Sequence, residues 1–131
     1  MVRPVQFVLG VYVLCFAAGA FNHARDFLSR GWRPYGFVPL PVELFWTALM
    51  ALDLAVTALL LTGRRRPGLA LAAAVMIADV AANTYVVAVL GLDVGFALQL
   101  QTLFLGFVLG SLPFAWCAGL ARRAVAPTGV A

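Results

Sequence analysis

Long, uninterrupted runs of apolar residues dominate the pattern of this chain, and short polar or glycine- and proline-containing stretches separate them. Four runs cover residues 4–22, 41–62, 68–90 and 96–120. Each is close to the ~20 residues that a helix needs to cross about 30 Å of hydrocarbon. The runs are continuous rather than alternating, and an open sheet cannot satisfy its backbone hydrogen bonds in lipid, so helices are predicted rather than strands. The pattern therefore predicts an all-α integral membrane protein with four spanning helices.

Composition supports lipid as the solvent for this chain. The 131 residues are 64% hydrophobic and 11% charged, whereas a soluble domain carries about 25% charged residues. One domain is expected at this length. The links at residues 63–67 and 91–95 are short, and short links favour antiparallel neighbouring helices. We therefore expect residues 1–131 to form a single up-down-up-down four-helix bundle.

The positions of the arginines predict the orientation. In a four-span protein Arg3, residues 64–66 and residues 122–123 lie on one side, which then carries six arginines and no acid. The other side carries three arginines, offset by three acids. Because arginine concentrates in cytoplasmic loops, we expect both termini to be cytoplasmic and residues 23–40 to form the main outer loop. The chain has no lysine, which is typical of a GC-rich genome, and we expect a bacterial cytoplasmic membrane.

Residues 1–20 also have features of a secretory signal peptide, namely a basic start, an apolar stretch and a small-residue ending at 18–20. Removal of this segment would leave three spans and place the new N terminus opposite the C terminus. We therefore expect the first helix to be retained.

Two acids interrupt the apolar runs near their centres. Asp79 lies eleven residues past Gly68 and Asp53 twelve past Pro41, so each is about 16–18 Å into its helix, near the midplane. An acid at the bilayer centre costs about 2.5–3.5 kcal/mol on the insertion scale. The two acids must therefore face inward, pair or stay protonated. Since Asn would serve for a purely structural hydrogen bond, we expect both acids to have a functional role.

Other polar residues extend this inward face. Asn83 follows Asp79, and Thr57 follows Asp53, at the i+4 spacing that puts two side chains on one helix face. Further polar residues cluster toward the outer half, which predicts a cavity open to the outer face or outer leaflet. The candidate ligand-binding residues are Asp53, Asp79, Asn83, Glu43, His23, Asp26, Asn22 and Gln99.

Structural roles are the alternative for several of these residues. Asn83, Gln99 and Gln101 can form hydrogen bonds between helices, worth about 0.6 kcal/mol each on average. His23, at a helix end, can bond to Asp26 or to water.

The outer loop combines arginine with aromatic residues and allows two interpretations. Trp and Tyr at helix ends are typical of the membrane interface, which predicts an aromatic belt of Trp32, Tyr35 and Trp46. Alternatively, the loop is a lid over the cavity, with Arg30 or Arg33 paired to Asp26 or Glu43. Alternatively, Glu43 caps the N terminus of the second helix, where a negative charge is favoured.

Several functional classes lack support in the sequence. We find no nucleotide-binding loop, no Cys/His metal spacing and no Ser-His-Asp arrangement, so we expect no cofactor and no metal, and we assign no catalytic residue. Cys15 and Cys117 fall inside apolar runs and are expected to be buried free thiols. The cytoplasmic arginines suit anionic lipid headgroups rather than nucleic acid. Gly106 and Gly110 form a GxxxG motif, which favours close helix packing inside the bundle or in a homodimer.

The layout resembles two families of small four-span membrane proteins. The segment FWTALMALDL, an aromatic-rich helix start that leads to Asp53, and the His23/Asp26 end of the first helix are similar to the EXPERA group of sterol isomerases and sigma-type receptors. That resemblance implies a bundle whose acid-lined cavity binds a cationic amine or a carbocation-like intermediate. The segment AGAFNH is similar to the end of the first helix in the DoxX-like group.

Together these observations predict a polar intramembrane cavity that binds a small, mostly apolar ligand, either amine-bearing or sterol-like. An isomerase activity is compatible with this prediction. Two alternatives stay open: a proton- or cation-coupled transporter or channel, and a structural accessory subunit. A ligand binder needs a dead-ended pocket, whereas a transporter needs a polar route to the inner face.

Overall fold

The computed structural model describes the backbone of residues 3–124 and the side chains of residues 3–118. Within this part of the chain it has four α-helices: α1 (Pro4–Arg30), α2 (Leu40–Leu61), α3 (Arg65–Leu90) and α4 (Phe96–Ala124). All four are long and apolar enough to cross a membrane. The prediction of an all-α protein with four potential membrane-spanning helices is therefore confirmed, and it indicates an integral membrane protein.

The first helix is longer than predicted. Residues 23–30, which we expected in the outer loop, continue α1 for two further turns. Residues 20–30 contain no Gly or Pro. The helix ends at Gly31, which has a φ of 82° and whose N–H donates to the carbonyl of Phe27. The prediction failed because a helix ends where the backbone conformation changes, whereas the apolar run ends where the side chains become polar. The loop between α1 and α2 is therefore residues 31–39.

Each helix packs against the next one along the chain, and α1 also contacts α4, but less extensively. The Tyr12 hydroxyl joins α1 to α4 by donating to the carbonyl oxygen of Val108 at 2.9 Å. The Tyr12 ring lies against Phe104 and Phe107, at centroid distances of 6.2 and 5.9 Å. This aromatic contact closes one end of the α1–α4 interface, and the other end stays open.

The outward faces of the helices are apolar. Large hydrophobic side chains that are exposed include Phe7, Leu14, Phe21, Leu54, Leu61, Leu103 and Phe114. Both cysteines are exposed as well, so the prediction that they are buried was wrong. An apolar run cannot distinguish a residue that faces the protein core from one that faces outward, and a thiol suits either apolar environment.

The GxxxG motif also lies on an outward face. A Cβ atom added at Gly106 or Gly110 would meet no atom within 4 Å. The two glycines therefore do not bring helices together within this chain, and that alternative for the motif was wrong. The homodimer stays a prediction.

Candidate functional site

A cavity of about 530 Å³ lies where α1 and α4 separate. Its polar lining comes from all four helices and consists of Asn22, His23, Asp53, Asp79 and Gln101. The remaining lining is mostly apolar and includes Phe16 and Phe104, whose rings meet edge to face at 5.5 Å. Acidic groups and an apolar wall thus line one cavity.

A second cavity of about 420 Å³ adjoins the first near the 31–39 loop. His23, Asp79 and Gln101 border both cavities. The second cavity has a more polar lining, to which Asp26, Arg30, Tyr35, Asn83 and Asp93 contribute. The first cavity is therefore mainly apolar and the second more polar, and the three shared side chains contribute to both.

Asp53 is buried, with 6% of its surface exposed, and it lies against the backbone of α1. A Cβ atom at Gly19 would collide with the Asp53 carboxylate, so the missing side chain of Gly19 makes room for the acid. The carboxylate has no hydrogen-bond partner among the described residues, yet no fully enclosed polar side-chain atom there lacks one. The Asp53 carboxylate therefore opens onto the cavity that it borders.

Asp79 belongs to a hydrogen-bond network between α3 and α4. Asn83 Nδ2 donates to Asp79 Oδ1 at 3.0 Å and to Gln101 Oε1 at 2.7 Å. The structure thus shows the interhelical hydrogen bond that we considered as a structural role for Asn83 and Gln101. The second carboxylate oxygen of Asp79 accepts no hydrogen bond from the described residues, so it remains available at the cavity surface.

His23, Tyr35 and Asp26 form a continuous hydrogen-bonded chain. His23 Nδ1 lies 2.8 Å from the Tyr35 hydroxyl, which donates to Asp26 Oδ2 at 2.8 Å. The sequence suggested a direct hydrogen bond between His23 and Asp26. In the structure the Tyr35 hydroxyl lies between them and bonds to both. Burial, together with the hydrogen bond to the Asp26 carboxylate and its charge, raises the pKa of Tyr35. The phenol consequently stays protonated and remains a donor at neutral pH.

Only one of the three residues predicted to form an aromatic belt lies at the protein surface. Trp32 is 92% exposed, whereas Tyr35 and Trp46 are buried. Tyr35 packs edge to face on Trp46, with centroids 5.4 Å apart. Both rings lie inside the protein because the 31–39 loop folds back onto the start of α2.

An ion pair joins the 31–39 loop to α2. Arg33 Nε donates to Glu43 Oε1, and Arg33 Nη2 donates to Glu43 Oε2, both at 2.8 Å. This is one of the pairs expected of a lid. The Glu43 carboxylate is occupied by Arg33, and Glu43 borders neither cavity described above. The structure therefore places it with the loop rather than with the other candidate ligand-binding residues.

Two other sequence-predicted positions do not join the site. Gln99 is exposed and borders neither cavity. Side chains two positions apart in a helix point in directions about 200° apart, and it is Gln101 that points toward the cavities. Thr57 donates to the carbonyl of Asp53 in its own helix, at 2.9 Å. Among the described residues, no group of three His, Cys, Asp or Glu could hold a metal ion.

Sequence reasoning missed the contributions of Gly19 and Tyr35. Gly19 precedes His23 by four residues, so the helix period could have predicted that it lies on the same helix face. Nothing in the sequence pattern distinguishes Tyr35 from the exposed Trp32.

No protein-family model, curated protein or solved structure matches this chain. The resemblance to EXPERA and DoxX-like proteins therefore stays an expectation, and a functional hypothesis depends on the geometry of the site.

Proposed function

We propose that this protein binds a small, mostly apolar ligand that carries a cationic amine, in the cavity between α1 and α4. The observation that carries the proposal is the position of Asp53 and Asp79, two buried acids that border one cavity with a largely apolar lining. An ammonium group offsets the charge of a carboxylate, and the apolar lining accommodates a hydrocarbon body.

The closed end of the cavity supports binding rather than transport. Phe16 and Phe104 border the cavity, and beyond them Tyr12 packs on Phe104 and Phe107. The Tyr12 hydroxyl is occupied by the carbonyl of Val108. Ion passage requires a polar route, and the described side chains offer an aromatic cluster there instead. A coupled transporter or channel is therefore the weaker hypothesis.

The proposal includes a membrane arrangement. The four helices run up-down-up-down as one domain, both termini are on the cytoplasmic side of a bacterial cytoplasmic membrane, and lipids surround the apolar outer faces. The 31–39 loop then covers the cavity from the outer side. An isomerase reaction on the bound ligand is compatible with this arrangement, but the proposal requires binding alone.

The two cysteines provide a test of occupancy. Cys15 borders the cavity and Cys117 does not, although both are exposed. In nanodiscs, octylamine should slow the reaction of N-ethylmaleimide with Cys15 in the Cys117→Ser protein. The same amine should leave Cys117 unaffected in the Cys15→Ser protein, and octanol should protect neither. Equal protection of both thiols would show partition into lipid and contradict the proposal.

Substitution of Asp79 distinguishes the three hypotheses. For a binding site, Asp79→Asn should abolish protection of Cys15 while thermal stability stays the same or rises, because an acid that is costly to bury has been removed. For a structural subunit, Asp79→Asn should be silent and Asp79→Leu should destabilise the protein. For a transporter, Asp79→Asn should stop amine flux in proteoliposomes while protection is partly retained.

A further inference from the structure

The hydrogen-bonded chain fixes the tautomer of His23. A phenol hydroxyl group has one hydrogen, and the Tyr35 hydroxyl donates it to Asp26. The Tyr35 oxygen can then only accept, so His23 Nδ1 must carry the hydrogen that joins the two side chains at 2.8 Å. A neutral imidazole has a single N–H group. The opposite nitrogen, Nε2, therefore carries a lone pair and acts as an acceptor.

The free nitrogen of His23 is open to the site. His23 borders both cavities, and Nε2 has no hydrogen-bond partner among the described residues. Since no fully enclosed side-chain nitrogen or oxygen there lacks a partner, Nε2 is not sealed inside the protein. A bound molecule in the shared part of the two cavities can therefore reach this acceptor.

Two further acceptors border the cavity that His23 borders. Gly19, against which the Asp53 carboxylate lies, is one helical turn from His23 and about 6 Å away along α1. Asp79, whose second carboxylate oxygen accepts no hydrogen bond from the described residues, borders the same cavity. Asp53 has no hydrogen-bond partner for its carboxylate among the described residues and has 6% of its surface exposed, so the cluster includes a buried acid for which a bound cation can supply a partner.

We propose that His23 Nε2, Asp53 and Asp79 together select a protonated primary amine over a quaternary ammonium, and that Tyr35 and Asp26 are positioning residues that hold His23 in the accepting tautomer. A primary ammonium has three N–H donors for three acceptors. A quaternary ammonium has no N–H, so it would leave every acceptor without a hydrogen bond. This inference rests on the proposed function and names the ligand class for the same site.

The amine comparison tests selectivity. Octylamine and octyltrimethylammonium have the same chain and charge, and their affinities follow from protection of Cys15 in the Cys117→Ser protein. Each buried acceptor left without a partner costs roughly tenfold in affinity, so octylamine should bind at least about tenfold more tightly. Equal affinities that both depend on Asp79 would overturn this inference and leave the proposed function intact. Failure of both amines to bind would overturn both.

The tautomer can be measured without any ligand. His23 is the only histidine in the sequence, so ¹⁵N-histidine NMR at mildly alkaline pH reports a single imidazole. We expect the Nδ1–H form in the wild-type protein, and a wild-type spectrum of the Nε2–H form would overturn the inference. Tyr35→Phe should give a mixture of the two forms and lower the affinity for octylamine but not for octyltrimethylammonium. Tyr85→Phe is the matched control, since Tyr85 is 44% exposed and borders neither cavity, and it should change neither readout.

Discussion

Replacement of Gly19 by alanine should reveal how closely α1 approaches Asp53. The added Cβ atom would lie on the Asp53 carboxylate and within 3.3 Å of its Cγ atom, so the acid must move into the cavity or the helices must separate. Overpacking of this kind costs about 1–3 kcal/mol. Alanine also gains about 1 kcal/mol over glycine in a helix, so the net loss of unfolding free energy should be about 0–2 kcal/mol.

Gly10 provides the matched control in the same helix. A Cβ atom there meets nothing within 4 Å, so Gly10→Ala should show the propensity gain without the collision. The difference between the two variants should therefore recover the full cost of about 1–3 kcal/mol. Unfolding by SDS titration in mixed micelles measures both free energies, and protection of Cys15 shows whether the displaced carboxylate has weakened amine binding.

A double-mutant cycle makes the test specific to Asp53. In an Asp53→Ala background the carboxylate is gone, so Gly19→Ala should become as favourable as Gly10→Ala. The coupling energy between positions 19 and 53 should be about 1–3 kcal/mol. If Gly19→Ala matches Gly10→Ala in both backgrounds and keeps its amine affinity, the contact between α1 and the acid is absent and the geometry of the site is wrong.

Three further predictions concern the surroundings of the site. For the proposed orientation, a cysteine at Ser29 should react with an impermeant thiol reagent in intact cells and one at Gly63 should not; the reverse pattern would overturn the orientation. Gly106→Ile should leave the stability of the single chain unchanged, because the position has open space, and should abolish a homodimer in native mass spectrometry; an unchanged dimer would show that this face is not the interface. Glu43→Gln removes the charge that Arg33 contacts at 2.8 Å, so hydrogen exchange in residues 31–39 should become faster; unchanged exchange would mean that the ion pair does not hold the loop.

The parts of the fold that depend on composition could be predicted from the sequence. Continuous apolar runs gave the number and type of the helices, and the cost of burying an acid predicted that Asp53 and Asp79 face inward, as both do. The i+4 spacing also correctly placed Asn83 on the face of Asp79. These inferences need only the helix period and the energetics of transfer into lipid.

The remaining features depend on tertiary contacts that have no periodic signal. Tyr35 completes the chain between His23 and Asp26 because the loop folds back onto Trp46. That path depends on the packing of two aromatic rings and on an ion pair across the loop. Likewise, the outward direction of the GxxxG motif depends on how α3 and α1 pack against α4.

Asp53 and Asp79 differ in a way that weighs against a purely structural role for both. Asp79 shares a network with Asn83 and Gln101, and such a network holds helices together. Asp53 has no hydrogen-bond partner for its carboxylate among the described residues, and the carboxylate would have to shift to accommodate a side chain at position 19. Burial of an unpaired acid costs free energy and joins no helices. Its position at the cavity surface is explained if a cationic group from a ligand supplies the missing partner, and so Asp53 provides the strongest argument for a binding site.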